Sequence, residues 1–300
     1  MIVPPPIKSG SKIRIVSPAG KLKTEHVMPA VNCLLGKGYR VVLGAHVFAQ
    51  YYQFAGTDKQ RWEDLQIALD DPECDVIMCS RGGYGTVRFL YKLDFSEFKK
   101  HPKWLVGYSD ITMLHLQINK LGIASIHGTM PPFFLDENGV ENNNLESLLK
   151  VLSGNDVFQS FESSYKNKVG EAKSEIVGGN LSIICSLLGT KYEIESKGKI
   201  LFLEEVDEYL YHIDRMMHQL KFAGKLELLA GLVLGDFTEM KDNESPFGKT
   251  VHEIILDSVS EYNYPVCFGF PAGHDKKNLA LPFGKSVEMS VSKEKATLKI

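Results

Sequence analysis

The chain has 300 residues, of which 44% are hydrophobic and 24% are charged. These values are typical of a globular protein with one large domain or two of ordinary size, whose core needs no disulfide or metal to hold it. The formal net charge of −3, with no long run of Lys or Arg, gives no reason to expect nucleic acid or an acidic membrane surface as a partner.

The five cysteines are widely spaced and contain no CxxC pair. Several, such as Cys79, lie in apolar runs, which predicts small buried side chains in a reducing compartment. Residues 1–11 contain three prolines and no apolar segment, so we expect no secretory signal. The apolar run over residues 181–188 is too short to span a bilayer. The sequence therefore predicts a cytoplasmic protein with no membrane association.

In the first part of the chain, strand-like apolar segments alternate with amphipathic helical segments. Strands are predicted over residues 12–17, 39–43, 75–80, 104–107 and 123–126. Helices are predicted over residues 24–35, with Thr24 as N-cap, over residues 58–69 and over residues 111–120. This alternation is typical of a doubly wound parallel sheet with right-handed crossovers.

Turn-forming residues dominate from residue 136 to residue 168, and we predict a linker there. It would join an N-terminal α/β domain, residues 1–135, to a C-terminal mixed α/β domain, residues 169–300. The C-terminal domain has fewer clean alternations, and its strand order stays open. Its predicted elements are strands over residues 200–203, 232–234 and 266–268, helices after residue 180 and over residues 211–222 and 251–259, and a hairpin of residues 286–291 with 296–300.

Small, polar or glycine-rich segments follow the strands of the N-terminal domain. They comprise residues 17–20, 80–85, 107–110 and 127–130. Because ligands bind at the carboxyl ends of the strands in an open parallel sheet, these segments predict a site on one rim. His127 is a candidate for lining that site.

Ser109 lies where a buried strand passes directly into a helix. A serine on such a turn projects its hydroxyl above the sheet, and the backbone N–H of Asp110 can then point at an oxyanion. The second glycine of a GxSxG motif is missing, because Ile111 stands there. The motif fits either a nucleophile or a helix N-cap.

Arg81 begins a glycine-rich segment that follows a strand, ends at residue 85 and precedes a predicted helix at Thr86. The glycines Gly82 and Gly83 let the backbone approach a ligand closely, and their N–H groups can receive negative charge. The segment lacks the Lys-Ser/Thr of a P-loop, and a tight turn is the alternative. Beside a nucleophile on the neighbouring segment, an oxyanion hole is the better interpretation.

A serine hydrolase also needs a base and a group that orients it. His274 lies in a loop rich in Gly and Pro after a strand, which fits either an exposed catalytic imidazole or a structural turn. Glu204 and Glu205 close an apolar strand, where alternation places them on opposite faces, and the spacing does not say which one faces a cleft. Metal-ligand spacing such as HExxH is absent, so no metal or cofactor is predicted.

Together these segments resemble the LD-carboxypeptidase family of serine peptidases, which includes a microcin-immunity branch. They occur in the family's order and cover nearly the whole chain. The matching segments are RGGYG at residues 81–85, GYSD at 107–110, GGNL at 178–181, LEE at 203–205 with YHIDRM at 211–216, and GH at 273–274.

The resemblance implies a catalytic triad of Ser109, Glu204 and His274, with the backbone N–H groups of Gly83 and Asp110 as oxyanion hole. It implies an N-terminal flavodoxin-like (class I amidotransferase-like) domain, a smaller C-terminal domain of swivelling type, and a homodimer. The implied reaction releases terminal D-alanine from cytoplasmic muramoyl tetrapeptides by cleaving an LD-peptide bond through an acyl-enzyme.

Arg81 could pair with the terminal carboxylate of the substrate, and an arginine that packs a loop is the alternative. With Gly82 and His127 it forms the expected substrate-binding set. Two other functions stay open: a hydrolase of microcin-type aminoacyl or peptidyl nucleotides, and a binding protein for cell-wall fragments that does not turn them over. The first would place an aromatic side chain against the base; Trp62 and Trp104 fall in predicted structural elements, which favours the cell-wall substrate.

Overall fold

The structure is a computed structural model that describes residues 1–162 and 167–300. It divides into two compact units. The first unit comprises Met1–Asn155 and Leu279–Pro282, and the second comprises Asp156–Asn278 and Phe283–Ile300.

The first 155 residues alternate between strands and helices, as the hydrophobic periodicity predicts. Short 3₁₀ turns at Thr86–Arg88 and Ser109–Ile111 follow two of the strands. The strands and helices are β1 (Lys12–Val16), α1 (Thr24–Gly36), β2 (Arg40–Leu43), α2 (Asp58–Asp70), β3 (Val76–Cys79), α3 (Ser96–Lys100), β4 (Trp104–Gly107), α4 (Thr112–Lys120), β5 (Ser125–His127) and α5 (Asn143–Leu152).

The remainder of the chain contains more strands than helices. Its elements are β6 (Phe158–Glu162), β7 (Gly170–Asn180), α6 (Leu181–Ser186), β8 (Ile200–Val206), α7 (Leu210–Phe222), β9 (Gly231–Thr238), α8 (Val251–Ser258), β10 (Val266–Cys267), β11 (Leu281–Phe283), β12 (Ser286–Val291) and β13 (Lys295–Lys299).

The first sheet has six strands in the order β11-β5-β4-β3-β1-β2. Strands β1 to β5 pair in parallel. Every residue of β3 and β4 is buried, which explains why these strands are continuous apolar runs. The predicted parallel sheet in the N-terminal part of the chain is confirmed.

The second sheet has seven strands in the order β10-β9-β8-β7-β12-β13-β6. Strands β7 to β10 pair in parallel, whereas β12, β13 and β6 are antiparallel. Burial alternates strictly along β12, as expected for a strand with one face in the core. The predicted C-terminal hairpin and the mixed α/β class are confirmed.

Some local predictions are wrong. Residues 136–168 contain helix α5 and strand β6 rather than only a linker, and residues 163–166 of this stretch lie outside the described residues. The turn-forming side chains there serve the helix, because the Asn142 amide oxygen caps it by accepting from the N–H groups of Asn144 and Leu145.

Two predicted helix starts also differ. Thr24 is the first residue of α1, and its N-cap, Lys23, makes no side-chain hydrogen bond. The helix expected after the glycine-rich segment is a 3₁₀ turn, Thr86–Arg88, and Gly85 before it has a φ of 138°.

None of the helices in the described part of the chain combines the length and the apolarity that crossing a membrane requires. The cysteines are thiols, and four of the five are buried. Within residues 1–162 and 167–300, no group of three or more His, Cys, Asp or Glu side chains is arranged to hold a metal ion.

Candidate active site

The segments that follow the parallel strands of the first sheet meet on one rim, as predicted. After β1 and β3, the hydroxyls of Ser17 and Ser80 lie 2.6 Å apart. Ser17 donates its proton to the carbonyl of Val47, so Ser80 is the donor in that pair. The N–H of Gly20 donates to the carbonyl of Gly82 at 3.0 Å. These bonds join the first two segments of the rim.

Ser109 has a left-handed backbone conformation. It opens the 3₁₀ turn after β4 with a φ of 64°, and the N-cap positions of that turn and of α4 are held by Tyr108 and Ile111. A positive φ is strained for a residue with a Cβ atom and is concentrated at functional sites. The alternative that Ser109 is a helix N-cap is therefore wrong, and the half-buried hydroxyl stands on a sharp strand-to-helix turn.

Gly82 lies against this serine. A Cβ atom at residue 82 would come within 2.8 Å of Ser109 Cβ and 3.1 Å of Ser109 Oγ, so only glycine fits there. The next residue, Gly83, is exposed with a φ of 103°. Within the described residues, the N–H groups of Gly83 and Asp110 donate to no other group. Both predicted oxyanion-hole donors thus belong to the two segments that this contact joins.

The side chain of Asp110 ties the glycine-rich segment to the nucleophile turn. Its Oδ2 accepts the backbone N–H of Thr86 at 2.9 Å, and the residue is fully buried. Burial raises the pKa of this carboxyl, against the N–H groups of Thr86 and Gly85 and the charge of Arg61, which lower it. Sequence reasoning assigned a role only to the backbone of Asp110 and missed this contact.

Arg61 packs beneath the same rim, against the segments that contain Pro18 and Gly85. Its side chain is fully buried, pairs with Asp58 and donates from Nη1 to the carbonyl of Pro18 at 2.8 Å. The guanidinium lies over the ring of Phe54, 4.7 Å from its centroid. Arg61 also fills the space beside Gly85, where an added Cβ would collide with Nη1. A buried arginine in the otherwise ordinary helix α2 carries no local sequence signal.

His115 forms a hydrogen bond with Gly107, the last residue of β4, which lies two residues before Ser109. Its ring is fully buried, with Nε2 at 2.9 Å from the carbonyl of Gly107 and Nδ1 at 2.9 Å from Ser125 Oγ. A carbonyl only accepts, so Nε2 carries the proton and Nδ1 accepts from the serine hydroxyl. Burial lowers the pKa of His115 to about 4, so the ring is neutral at physiological pH.

The remaining candidates of the first unit differ in exposure. His127 ends β5 and is fully buried, with its ring 5.8 Å from that of Tyr108. It therefore lies under the rim rather than on it. Arg81 is exposed, and its Nη1 donates to the carbonyl of Lys21 at 3.1 Å.

The second unit brings Glu204 and His274 together. His274 Nδ1 lies 2.7 Å from Glu204 Oε2. The glutamate side chain is fully buried, and 18% of the imidazole is exposed. Because a carboxylate accepts, Nδ1–H donates to Glu204, and Nε2 is the basic nitrogen of the neutral ring. This is the arrangement of a general base with its orienting carboxylate.

The charge around His274 favours its protonated form. Burial alone would lower the pKa of the imidazole, but the hydrogen bond and charge of Glu204 outweigh it, with help from the charges of Glu205 and Asp236. The net result is a raised pKa for His274. A base of this kind holds a proton taken from a serine hydroxyl more strongly than a solvated imidazole does.

Glu205 has a separate task. Its Oε1 accepts from the amide of Asn180 at 2.8 Å and its Oε2 accepts from the N–H of Ser182 at 2.7 Å. These bonds hold the start of helix α6 against β8. Both glutamates are buried rather than solvated at the strand end. Of the two, Glu204 contacts His274.

Two family models match this chain, one in each part that contains candidate site residues. A model of the LD-carboxypeptidase N-terminal domain matches residues 13–128, and a model of the LD-carboxypeptidase C-terminal domain matches residues 173–289. The chain belongs to the LD-carboxypeptidase family of serine peptidases. Ser109 lies within the first matched range, and Glu204 and His274 lie within the second.

Individual relatives and solved structures match over nearly the whole chain. A probable murein peptide carboxypeptidase of Bacillus subtilis is 33% identical, over 98% of this chain and 93% of its own. The crystal structure of muramoyltetrapeptide carboxypeptidase from Oxalobacter formigenes is 28% identical and superposes with a TM-score of 0.87, covering 97% of this chain and 98% of that one. The microcin C7 self-immunity protein MccF shares the fold, with a TM-score of 0.87 at 20% identity over 100% and 99% of the two chains.

Proposed function

We propose that this LD-carboxypeptidase releases the terminal D-alanine from muramoyl tetrapeptides, with Ser109 as nucleophile, His274 as general base and Glu204 as the group that orients it. The observation that carries the proposal is the hydrogen bond of the buried Glu204 carboxylate to His274 in a chain of a serine peptidase family. The strained turn at Ser109 supports the choice of nucleophile.

In the first step, Ser109 Oγ attacks the carbonyl carbon of the scissile bond. His274 Nε2 takes the hydroxyl proton, and the resulting imidazolium is stabilised by the Glu204 carboxylate. The carbonyl oxygen becomes an oxyanion. We assign its stabilisation to the N–H groups of Gly83 and Asp110, each such donor contributing about 3 kcal/mol to the transition state.

In the second step, the tetrahedral intermediate collapses. The C–N bond breaks as His274 donates its proton to the departing nitrogen, and D-alanine leaves as a neutral amine. The acyl group remains on Ser109 as an ester. His274 then takes a proton from water, the hydroxide attacks the ester carbonyl, and the protonated histidine restores the Ser109 hydroxyl.

The substrate assignment is supported by the relatives. The Oxalobacter formigenes protein is described as a muramoyltetrapeptide carboxypeptidase, and the Bacillus subtilis relative as a probable murein peptide carboxypeptidase. We propose the bond from the L-centre of meso-diaminopimelate, or of lysine, to terminal D-alanine. The exposed guanidinium of Arg81 is suited to the terminal carboxylate of such a peptide, and Gly82 lies beside it. The buried ring of His127 is not suited to direct substrate contact.

We also propose that the enzyme acts in the cytoplasm as a homodimer, which is what the family resemblance implies. The thiol state of the cysteines, most of them buried, is consistent with a reducing compartment. Light scattering coupled to size-exclusion chromatography tests the dimer. An elution mass of twice 33.6 kDa supports it, and a mass of 33.6 kDa over the working concentration range contradicts it.

The function is tested by D-alanine release from purified muramoyl tetrapeptide in the presence of EDTA. The tetrapeptide L-Ala-γ-D-Glu-meso-diaminopimelate-D-Ala should be cleaved, and the same peptide with terminal L-alanine should be cleaved far more slowly. An enzyme that is inert on the tetrapeptide but cleaves an aminoacyl-sulfamoyl adenylate would overturn the substrate assignment and support the microcin-type alternative.

A further inference from the structure

Asp236 lies at an irregularity of the second sheet beside Glu204. Along β8 and β9, Leu203 pairs with Leu234, but Glu205 pairs with Phe237. One residue of β8, Glu204, is therefore opposed by two residues of β9, Gly235 and Asp236. Bulges of this kind re-aim a side chain and are over-represented next to active sites.

The backbone of Asp236 contacts the loop that carries His274. Its N–H donates to the carbonyl of Ala272 at 2.9 Å. At Gly235 an added Cβ would lie 2.3 Å from that same carbonyl, so the loop approaches β9 too closely for any side chain there. The segment before His274 is thus fixed to β9 at the bulge.

The side chain of Asp236 lies beside the residue that precedes the imidazole. An added Cβ at Gly273 would come within 2.9 Å of Asp236 Cβ and 3.3 Å of its Oδ2. The backbone and the side chain of Asp236 therefore both contact the segment immediately before the imidazole, which is how a short loop is held in one conformation.

The pKa of Asp236 depends on charged groups of the same site. Burial and the charges of Asp275 and Glu204 raise its pKa to about 7, against the Asp275 N–H and the charge of His274. Its Oδ2 is buried and accepts from no group within residues 1–162 and 167–300. The charges of Glu204, Glu205 and Asp236 each raise the pKa of the His274 imidazole.

We propose that Asp236 is a positioning residue for His274: it fixes the segment before the imidazole to β9 and places a second carboxylate near the Glu204–His274 pair. Its role in turnover rests on the proposed function, but its effect on His274 does not. An aspartate that only stabilised the fold would change the melting temperature and leave the titration of His274 as it is.

The test uses full-length protein with isotopically labelled histidine, in which NMR follows the titration of each imidazole. A His274→Gln variant assigns the His274 signal. Asp236→Asn keeps the size of the side chain but removes its charge, and Asp236→Ala removes both. Asp207→Asn is the matched control, because Asp207 is an exposed aspartate after β8 that pairs with Lys241.

We expect the His274 titration to move to lower pH in Asp236→Asn and to stay at its wild-type position in Asp207→Asn. In D-alanine release, the acid limb of kcat/KM for Asp236→Asn should move in the same direction. Asp236→Ala should lower kcat by roughly 10- to 100-fold, because the imidazole loses its fixed position.

The proposal is overturned if His274 titrates in Asp236→Asn as it does in wild type, whatever the catalytic result. If Asp236→Ala does not fold, Asp236→Asn alone decides. If the wild type releases no D-alanine, the proposed function fails, and the NMR comparison still decides the role of Asp236.

Discussion

Gly82 lies in van der Waals contact with Ser109, and this contact brings the glycine-rich segment to the nucleophile. An added Cβ at residue 82 would stand 2.8 Å from Ser109 Cβ and 3.2 Å from the carbonyl of Tyr108. The carboxylate of Asp110 reinforces the contact through its bond to Thr86 N–H. The proposed oxyanion hole therefore depends on two segments far apart in the sequence being held together at atomic distances.

Gly82→Ala should disable the enzyme by displacing Ser109. A shift of about 1 Å in the nucleophile can lower turnover by roughly 100-fold, and we expect a loss of this size in kcat for D-alanine release. Gly36→Ala is the control, because Gly36 ends α1 with open space around it and should leave kcat at the wild-type value. Equal turnover in Gly82→Ala and wild type would show that the contact has no catalytic role.

Asp110→Ala should destabilise the first unit as well as slow turnover. The variant leaves the buried Thr86 N–H without its acceptor, which costs about 1–3 kcal/mol in the free energy of unfolding. Asp110→Asn keeps an oxygen at this position and should lose less. Urea denaturation measures the difference, with Asp70→Ala as an exposed control on α2. If Asp110→Ala had the unfolding free energy of wild type, the hydrogen bond from Thr86 N–H to Asp110 would have no stabilising role.

Glu204→Gln should change both the rate and the pH profile. His274 must be neutral to accept the Ser109 proton, and its raised pKa places the acid limb of kcat/KM above the ordinary histidine value of 6.5. Without the Glu204 charge the limb should move to lower pH. The plateau should fall by about 10³- to 10⁴-fold, because the amide no longer enforces the Nδ1–H tautomer.

The neighbouring carboxylate supplies the comparison for this variant. Glu205→Gln should weaken the contact with Asn180 and Ser182 and lower the melting temperature, while keeping most of the turnover. If Glu205→Gln were the more damaging variant for kcat, the roles given to the two glutamates would have to be exchanged.

The buried His115 should make the fold sensitive to acid. The pKa of His115 is lowered to about 4 in the folded protein, so protons bind the unfolded chain more readily once the pH falls below about 6.5. Stability should therefore be lost between about pH 6.5 and pH 4. The His115→Asn variant has no imidazole to protonate and so lacks this loss, although it is less stable than wild type at pH 7.

Urea denaturation at pH 7 and pH 4.5 tests the sign. The unfolding free energy of wild type should fall by about 2 kcal/mol more than that of His115→Asn over this interval. Parallel losses in the two proteins would show that His115 is not held neutral by the fold.

Much of the fold is readable in the sequence because burial imposes simple patterns. β3 and β4 are continuous apolar runs because both of their faces are buried, and β12 alternates because only one is. The segment 136–168 misled because asparagine caps helices as readily as it forms turns. Local chemistry alone does not separate these two uses.

The site is only partly readable for a different reason. Spacing could not choose between Glu204 and Glu205, because the choice depends on where the His274 loop lies against β9. The residues beside Ser109 signal neither its positive φ nor its close approach to Gly82 across the rim. Asp236 did leave a signal, an ionisable residue directly after the apolar run of β9, but nothing in the sequence connects it with His274.

The most direct test of the proposed triad is a double-mutant comparison in D-alanine release. Ser109→Ala and His274→Ala are measured singly and together against wild type on the muramoyl tetrapeptide. Residues that act as one unit are strongly non-additive, so each single variant should lose about 10⁴- to 10⁶-fold in kcat, and the double variant should lose no more than Ser109→Ala alone. Independent, multiplying losses, or a Ser109→Ala variant within tenfold of wild type, would contradict the triad.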